Sequence, residues 1–466
     1  MPARPITYVS AVLLTAVLSG CAAWVRTPYT SPEVKLPPAW AQQTDATGMV
    51  QDRWWEGFGD PVLNRLIEEA LRRNNDLAAA TLVVRKALLQ AELADSDRLP
   101  GLAVQGSASH SHDLQTKTRE TNTFGASVQV SYELDLWGKL GRTADAARWQ
   151  AVATEEDRAS TALSLMGTTA SLYWQIGYLN QRLSLAEASI AYAKRTLALV
   201  RVQKAAGAAT ALEILEAERS LASQEASHTT LVQQRTEARN GLAILFDGPP
   251  QRLDMRELPD LAKARLPVVA AGLPASLLAR RPDLRAAEAR LRSVLATSDA
   301  TRASFYPSLS LSGSLGRSSE ELSRVLSNPI GTLAADLALP FVQWRDMRRT
   351  IKISEAEYEQ AVVEFRQTLY SALADVENSL SARQQYQAQA EKLEQALQAA
   401  RQTEELYRIR YQAGGSPLKS WLDAQENRRQ AEVSLAENRF NQLQNHITLV
   451  KALGGDTGST ILDRTQ

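Results

Sequence analysis

The sequence repeats itself at a spacing of 207 residues, and this duplication constrains the fold more than any other feature. Asp76-Leu77 returns as Asp283-Leu284, and Arg142-Thr143 returns as Arg349-Thr350. The same offset links Pro100 with Pro307, Leu102 with Leu309, Gly106-Ser107 with Gly313-Ser314, Ala206-Gly207 with Ala413-Gly414, Leu215 with Leu422, and Ala217 with Ala424. Because solenoid repeats are only tens of residues long, we interpret the chain as two whole copies of one supersecondary unit.

The N-terminus has the order of features of a bacterial lipoprotein signal. Basic Arg4 precedes an apolar run from Val9 to Leu18, which is too short to span a membrane as a mature helix. The sequence ending at Cys21 fits the lipobox, in which the cysteine carries the lipid. Cys21 is the only cysteine, so no disulfide forms within the chain. We predict lipidation of Cys21 at the outer membrane, which Ala22 favours; the alternative is an ordinary cleavage site.

Composition limits the remaining classes of protein. The 52 basic and 52 acidic residues balance, which argues against a nucleic-acid partner. After Cys21 no run of about 18 apolar residues offers a transmembrane helix. If the chain crosses a membrane, it has to do so with strands.

Each copy contains two segments that alternate apolar residues with small or polar ones. These segments are 102–108 and 124–134 in the first copy, and 309–315 and 333–341 in the second. The alternation over about ten residues is typical of transmembrane β-strands. A soluble hairpin on a core is the alternative, which the outer-membrane address disfavours. Since four strands cannot close and open edges are not tolerated in lipid, several chains must assemble the barrel.

The rest of each copy is predicted to be helical. In the first copy a helix over 61–97, capped by Asp60, precedes the strands. A long helical hairpin follows them, and its heptad seam consists of Leu172, Ile176, Leu179, Leu183, Ala186, Ile190, Ala193, Leu197 and Val200. The second copy keeps this spacing at Tyr358, Val362, Phe365, Leu369, Ala372 and Val376, and again at Leu393, Leu397 and Ala400. The proline-free segments 142–206 and 349–413 would each rise about 97 Å as helices. Glycines end both segments, and return helices are expected over 211–246 and 417–453.

Several motifs of the chain are shared with a known family: Trp54-Trp55 with Phe58-Gly59-Asp60-Pro61, Asn75-Asp76-Leu77, residues 280–288, Phe305-Tyr306-Pro307-Ser308-Leu309 and residues 410–425. With these motifs the sequence resembles the TolC-like outer membrane factors of tripartite efflux pumps, and within them the NodT-type lipoprotein branch typified by OprM. This resemblance implies a mainly α fold with membrane β. A long coiled-coil α-helical barrel would join four β-strands per chain, which contribute to a 12-stranded trimeric outer-membrane β-barrel.

The resemblance also implies a function and partners. A lipid-anchored homotrimer would cross the bacterial outer membrane and extend far into the periplasm. A periplasmic membrane-fusion adaptor and an RND-type inner-membrane transporter would deliver drugs or other small toxic compounds, which the channel conducts passively. No catalytic residue is expected, and no cofactor beyond the covalent lipid on Cys21. The alternatives are a metal-cation efflux channel, a type I secretion exit duct and, from another class, a non-conducting periplasmic coiled-coil lipoprotein.

On this interpretation the chain divides into six segments. They are a signal peptide (1–20), a lipidated N-terminal segment (21–60), a first repeat (61–248, with β-hairpin 102–134 and helical hairpin 142–246), an equatorial linker (249–273), a second repeat (274–455, with β-hairpin 308–342 and helical hairpin 346–453) and a C-terminal tail (456–466). Trp54-Trp55 is expected to pack on the equatorial belt rather than bind a ligand.

The family's periplasmic gate is carried over onto the helices that follow the hairpin tips. Asp423 matches the second acidic position, and Ser420 stands at the first, a departure that weakens a cation-binding double ring. Subtracting 207 gives Glu216 and Glu213. Residues three apart share a helix face, and threefold symmetry would turn each acid into a ring. The alternative is that these acids occupy positions favourable to the helix dipole.

Two further sets of residues were considered. The adaptor-docking tips are predicted at Gly207, Ala208, Gly414 and Gly415. His110 and His112 lie two apart at a strand end, where they could pair on a metal, but a loop position is preferred and no metal site is predicted.

Overall fold

The computed structural model describes residues 25–42, 53–112, 120–250, 261, 264–269, 271–272, 274–325, 327 and 329–455. The predicted signal peptide, Cys21, part of the 249–273 linker and the 456–466 tail lie outside the described residues. The chain forms two compact units. The sheet unit comprises Met1–Val34, Leu82–Glu156 and Arg285–Thr368, and the helical unit comprises Lys35–Thr81, Asp157–Leu284 and Leu369–Gln466.

The duplication is visible in the bounds of the secondary structure. The elements are α1 (Pro61–Arg73), α2 (Asn75–Ser96), β1 (Gly101–His112), β2 (Glu120–Leu134), α3 (Lys139–Ala205), α4 (Ala211–Ala243), α5 (Leu277–Arg280), α6 (Pro282–Ala303), β3 (Ser308–Ser319), β4 (Ile330–Ala338), α7 (Trp344–Gln412) and α8 (Leu418–Ala452). Adding 207 to the bounds of α2 and β1 gives those of α6 and β3. The same offset relates the ends of α3 and α7 and the starts of α4 and α8.

Among the described residues, no helix is both long enough and apolar enough to traverse a bilayer.

The prediction of one helix over 61–97 is wrong at Asn74, where the chain breaks between α1 and α2. Asn74 has an extended backbone (φ −68°, ψ 129°). Its side-chain oxygen accepts a hydrogen bond from the Leu77 N–H (3.1 Å), as a helix cap does, and its amide nitrogen donates to the Leu245 carbonyl (3.2 Å). In the second copy Arg281 replaces Asn74 and donates to the Ala452 carbonyl (3.2 Å). Since 452 is 245 plus 207, each break is tied to the end of its own return helix.

The sheet unit carries one antiparallel sheet in the order β1-β2-β3-β4, which confirms the predicted strands. Gly101 lies opposite Ser131, and Ser308 lies opposite Ala338, so both hairpins have the same register after the 207-residue shift. The predicted end of the second hairpin at residue 342 is too late. A single 3-10 turn occupies Pro340–Val342, because proline has no N–H to donate to a strand ladder.

The helical unit is held together by the predicted heptad seam and an aromatic cluster. Seven of the nine predicted seam residues of α3 are buried; the exceptions, Leu172 and Ile190, are half-buried. The three aromatic residues of the 3-10 segment Trp54–Phe58 are buried in the same core as the seam, with Trp55 fully enclosed. Asp60 caps α1 as predicted and accepts a hydrogen bond from the Tyr173 hydroxyl (2.7 Å). The two tryptophans therefore pack in the core of the helical unit, and their placement on an equatorial belt stays a prediction.

His446 lies within this aromatic cluster, 2% exposed and with its ring centroid 5.0 Å from that of Phe58. Burial, together with the nearby Arg383 charge, lowers the pKa of His446 from 6.5 to about 3. The unfolded chain takes up this proton as the pH falls through 6.5, whereas the folded chain resists it. We therefore expect a loss of stability of about 2 kcal/mol between pH 6.5 and pH 5 from this residue.

The measurement is the midpoint of thermal denaturation in detergent from pH 7.5 to pH 5. His446→Phe and His446→Gln cannot titrate, so both should show a shallower fall of the midpoint than the wild type. An unchanged slope in both variants would contradict the assignment.

Candidate gate at the helical-hairpin tips

Both long helices end in the same glycine-dependent motif. Gly207 and Gly414 have left-handed backbones (φ 76° and 75°), which side chains rarely adopt. In the first copy the N–H of Ala208 donates to the Gln203 carbonyl (2.8 Å), and in the second copy the N–H of Gly415 donates to the Arg410 carbonyl (2.8 Å). These are the bonds of a Schellman motif. The tips thus lie where the sequence predicted, and all four predicted tip residues are exposed.

Glu213 acts as a helix cap in the first copy. The Thr210 N–H donates to the Glu213 carboxylate (2.7 Å), and the Glu213 N–H donates to the Thr210 hydroxyl oxygen (3.3 Å). This reciprocal pair is a capping box at the start of α4. Glu213 therefore fits the alternative to a gate role, in which the acid stabilises the first turn of its helix. This alternative does not describe Glu216, which lies beyond that turn and is half-buried.

Asp423 is exposed and paired with a lysine of its own helix. The Lys419 ammonium lies 2.6 Å from the Asp423 carboxylate, one turn away, and the Asp423 side chain is 60% exposed. Asp423 lies in the second turn of α8, so a first-turn role does not account for it. Ser420, at the other predicted gate position, is half-buried. Because Lys419 neutralises Asp423 locally, the site is less acidic than the gate motif alone suggested.

Trp421 determines which way Asp423 faces. Successive helical residues are rotated by about 100°, so residues two apart point to nearly opposite sides. Trp421 is buried between Tyr411 and Tyr192, at ring-centroid distances of 5.4 and 6.2 Å. The Tyr411 hydroxyl also donates to the Gln203 side chain (2.6 Å), which joins the two copies at their tips. Because Trp421 is held inside this cluster, Asp423 points away from the cluster, toward the exposed side of α8.

A buried glutamate and a half-buried arginine form an ion pair near the gate residues, with Arg428 five residues after Asp423 on α8, and the sequence motifs did not predict it. The guanidinium of Arg428 lies 2.5 Å from Glu404 and 3.0 Å from Glu432. Burial and the hydrogen bond with Glu404 raise the pKa of Tyr192 to about 12, so its hydroxyl stays protonated. The sequence does contain a pattern that predicts this ion pair. The seam Leu393, Leu397, Ala400 continues with the same spacing to Glu404, which places a charge among the apolar seam positions. A charged residue on a coiled-coil seam requires a buried partner.

The two histidines lie on β1. His110 Nδ1 lies 2.9 Å from the Asn122 side-chain oxygen, and both His110 and His112 belong to β1 rather than to a loop. In the part of the chain that the structure describes, no group of three or more His, Cys, Asp or Glu side chains is placed to hold a metal ion.

The sequence model of a protein family described as "Outer membrane efflux protein" matches residues 66–246 and 273–455. The two blocks correspond to the two copies and include most of the chain. The chain belongs to the outer membrane efflux protein family. This assignment confirms the resemblance found in the sequence, including the transport function without enzymatic chemistry.

Relatives and a solved structure agree with this family. The chain is 31% identical over 406 residues to toxin and drug export protein A of Aggregatibacter actinomycetemcomitans, covering 87% of this chain and 89% of the relative. It is 33% identical over 432 residues to pyoverdine export outer membrane protein OpmQ of Pseudomonas putida, covering 90% and 92%. The open state of the Neisseria gonorrhoeae MtrE outer membrane channel superposes with a TM-score of 0.81 at 27% identity, covering 92% and 98%. The fold is that of TolC-like outer membrane channels, and the protein is located in the outer membrane.

The first copy provides a matched control for the buried ion pair. Subtracting 207 from 404 and 428 gives Leu197 and Leu221, so the second copy has an ion pair where the first copy has two leucines. We expect Arg428→Leu to destabilise by about 3 kcal/mol, because it leaves the Glu404 carboxylate buried without its cation. Glu404→Leu should cost less, since Arg428 keeps Glu432.

Converting both residues to leucine should restore most of the stability that Arg428→Leu loses, because no unpaired carboxylate remains at residue 404 and Glu432 keeps its contact with Arg401 (3.3 Å). The recovery should be incomplete, since the Tyr192 hydroxyl loses its hydrogen bond with Glu404. The measurement is the heat-denaturation midpoint of all four proteins in detergent. A double variant as unstable as Arg428→Leu would show that the ion pair itself stabilises the hairpin.

Proposed function

We propose that this protein is the exit duct of a tripartite efflux pump, a homotrimer that passively conducts drugs or other small toxic compounds to the exterior. The observation that carries the proposal is that each copy continues from a strand hairpin, whose outer strand has no partner strand among the described residues, into a long helical hairpin with an exposed tip. Strands of this pattern suit a membrane only when several chains close the sheet. The family assignment supports the same function and gives no support to a non-conducting spacer.

The partners proposed are a periplasmic adaptor and an RND-type inner-membrane transporter. The docking sites are the two tips, at Gly207 with Ala208 and at Gly414 with Gly415. Small exposed residues at a tight turn allow another helical hairpin to approach the backbone closely. The energy for transport would come from the inner-membrane partner.

Organic compounds are favoured over metal cations as substrates. The names of the two relatives refer to toxins and drugs and to pyoverdine. In addition, the Lys419 ammonium opposes the Asp423 charge that would attract cations. Deletion of the gene should increase susceptibility to several organic antimicrobials and dyes while leaving metal tolerance unchanged, and the cloned gene should restore resistance. Selective sensitivity to metal ions would support the cation-efflux alternative instead.

Lipidation of Cys21 is proposed as the membrane anchor, in addition to the strands. Cells grown with labelled palmitate should incorporate label into the wild-type protein and not into Cys21→Ser. Because strands of the trimer would also hold the protein in the membrane, we expect the variant to remain in the outer-membrane fraction when a cleavable non-lipoprotein signal replaces residues 1–20. Label in the variant would place the lipid elsewhere.

The gate is proposed at Asp423 and Ser420, with Glu213 and Glu216 as the positions of the first copy. If the Lys419–Asp423 pair lines the aperture, Lys419→Met removes the cation beside each Asp423 carboxylate and leaves a ring of unpaired negative charges in the trimer. The cation-over-anion permeability ratio should then rise by a factor of about 2 to 5, whereas Asp423→Asn should lower it. Reversal potentials across a planar bilayer under a salt gradient measure this ratio.

The control is Lys392→Met, which removes an equally positive side chain from an exposed position of α7 away from the tip. It should leave the ratio unchanged. If Lys419→Met and Asp423→Asn both keep the wild-type ratio and the wild-type opening frequency, these residues do not line the aperture.

A further inference from the structure

A cluster of basic side chains lies at the start of α7, shortly after the last strand of the sheet. It consists of Arg345, Arg348, Arg349 and Lys352, and all four side chains are exposed. Within the described part of the chain, no carboxylate forms an ion pair with any of the four. We propose that this basic cluster binds the phosphate headgroup of an anionic phospholipid in the periplasmic leaflet of the outer membrane. The inference rests on the proposed placement of the strands in that membrane.

The basic cluster lies at the end of the sheet that would face the periplasm. At this end the helices join the sheet, because β1 and β3 begin here and β2 and β4 end here. β4 ends at Ala338, and Trp344 begins α7 after a single 3-10 turn over Pro340–Val342. Phe341 and Val342 of this turn are exposed apolar side chains. Since the headgroup layer is about 5 to 8 Å thick on each side of the hydrocarbon, the first turns of α7 are within reach of it.

Trp344 holds two of the arginines in place. Its side chain is 51% exposed, and the guanidinium carbons of Arg345 and Arg348 lie 5.3 and 5.2 Å from its ring centroid. Tryptophan favours the boundary between the hydrocarbon and the headgroups of a membrane, and a cation–π contact keeps each guanidinium beside the ring. Guanidinium groups recognise phosphate through paired hydrogen bonds. Two phosphate-binding groups are thus arranged around one interfacial side chain.

The first copy carries the opposite charge at the equivalent positions. Residues 340–352 contain four basic residues and one acidic residue, whereas residues 133–145 contain two basic and three acidic residues. Subtracting 207 from 345 and 348 gives Gly138 and Gly141, while Trp344 corresponds to another tryptophan, Trp137. The junction between strand and long helix therefore forms without the two arginines, and their presence in the second copy needs a reason other than the fold.

The charges of the first copy are satisfied within the chain. The Lys139 ammonium lies 2.8 Å from the Glu133 carboxylate, and the Arg142 guanidinium lies 2.9 Å from the Asp145 carboxylate. The Asp135 carboxylate accepts two backbone hydrogen bonds (3.0 and 2.7 Å) at the start of α3. In the second copy these three acids are replaced by Pro340, Val342 and Lys352. Since the second copy lacks the internal anions, an external anion suits this place.

Without an anion the basic cluster is unfavourable to its own helix. Cations near the first turn oppose the helix macrodipole. Arg345 with Arg349, and Arg348 with Lys352, are also like-charge pairs four residues apart, which repel each other on a helix. A bound phosphate would reduce both repulsions. The charge of the cluster therefore complements the negative surface of a membrane that contains anionic lipid.

Lipid binding to the full-length protein in a non-ionic detergent tests the site. The probe is phosphatidylglycerol with a fluorescent acyl chain, followed by anisotropy, and the competitors are unlabelled phosphatidylglycerol and phosphatidylcholine. The anionic lipid should compete about ten times better than the zwitterionic one. Because each basic residue near a membrane surface changes binding by about fivefold, Arg345→Gln with Arg348→Gln should weaken binding of the probe about 10- to 30-fold.

The matched control is Lys139→Gln with Arg142→Gln, which removes the same positive charge from the equivalent segment of the first copy. Because both cations are already paired within the chain, binding of the probe should stay within about twofold of the wild type. Inorganic phosphate is a second control. It lacks acyl chains, so it should displace little of the probe.

The outcomes separate the lipid site from the proposed duct. Equal competition by the two lipids, wild-type binding by the arginine variant, or an equal loss in the control variant would each overturn the site. Complete displacement by inorganic phosphate would overturn the lipid as its ligand. An arginine variant that keeps the lipid preference but no longer cross-links as a trimer would assign the cluster to contacts between copies, and would also overturn the inference. A wild-type protein that conducts in planar bilayers without any lipid preference loses only this site, whereas a protein that does not conduct contradicts the duct itself.

Discussion

A backbone hydrogen-bond ladder has to be complete wherever water is absent, and this requirement governs the rest of the protein. The described sheet has four strands and two edges. Edges of this kind are costly in lipid, because each unpaired N–H or C=O loses its hydrogen bond to water without a replacement. The sheet therefore suits the outer membrane only as a part of a larger ring. The shared register of the two hairpins and the exposed apolar side chains at both edges agree with this role.

The helical part follows a different principle, in which side chains rather than backbone groups set the alignment. An apolar seam runs along α3 and α7, and most of its residues are buried. Near the tips the second copy interrupts this seam with the Glu404–Arg428 pair, where the first copy has leucines. An apolar seam tolerates small shifts along the helix axis, whereas an ion pair has one satisfied position. The second copy therefore has a directional contact next to the residues of the candidate gate, where the first copy has apolar packing only at the equivalent positions.

The sequence predicted the features that depend on a period and missed those that depend on single contacts. The duplication, the heptads and the glycine ends all follow from repeated spacing, and the structure confirms them. The break at Asn74 was missed because apolar residues keep helical spacing on both sides, while the break itself depends on the distant Leu245 carbonyl. The i, i+4 spacing of Lys419 and Asp423 is visible in the sequence, but spacing alone does not distinguish a formed ion pair from two separately solvated charges, so the gate motif predicts a more acidic site than the structure shows.

The two copies differ at positions where a side chain makes the stabilising contact, and they remain alike where the backbone conformation does. Asn74 and Arg281 differ completely in chemistry, yet both donate a hydrogen bond to the carbonyl 171 residues further along the chain. At the tips the Schellman motifs are the same, but the helices that follow them begin differently. Thr210 and Glu213 form a capping box at the start of α4, whereas Pro417 precedes α8 and supplies no side-chain cap. Glu213 is therefore held at a helix terminus, while Asp423 is held only by the exposed Lys419. Residue 213 in the first copy therefore contributes to the start of its helix, whereas its repeat equivalent in the second copy, Ser420, makes no such cap, and Asp423 is paired within its own helix instead.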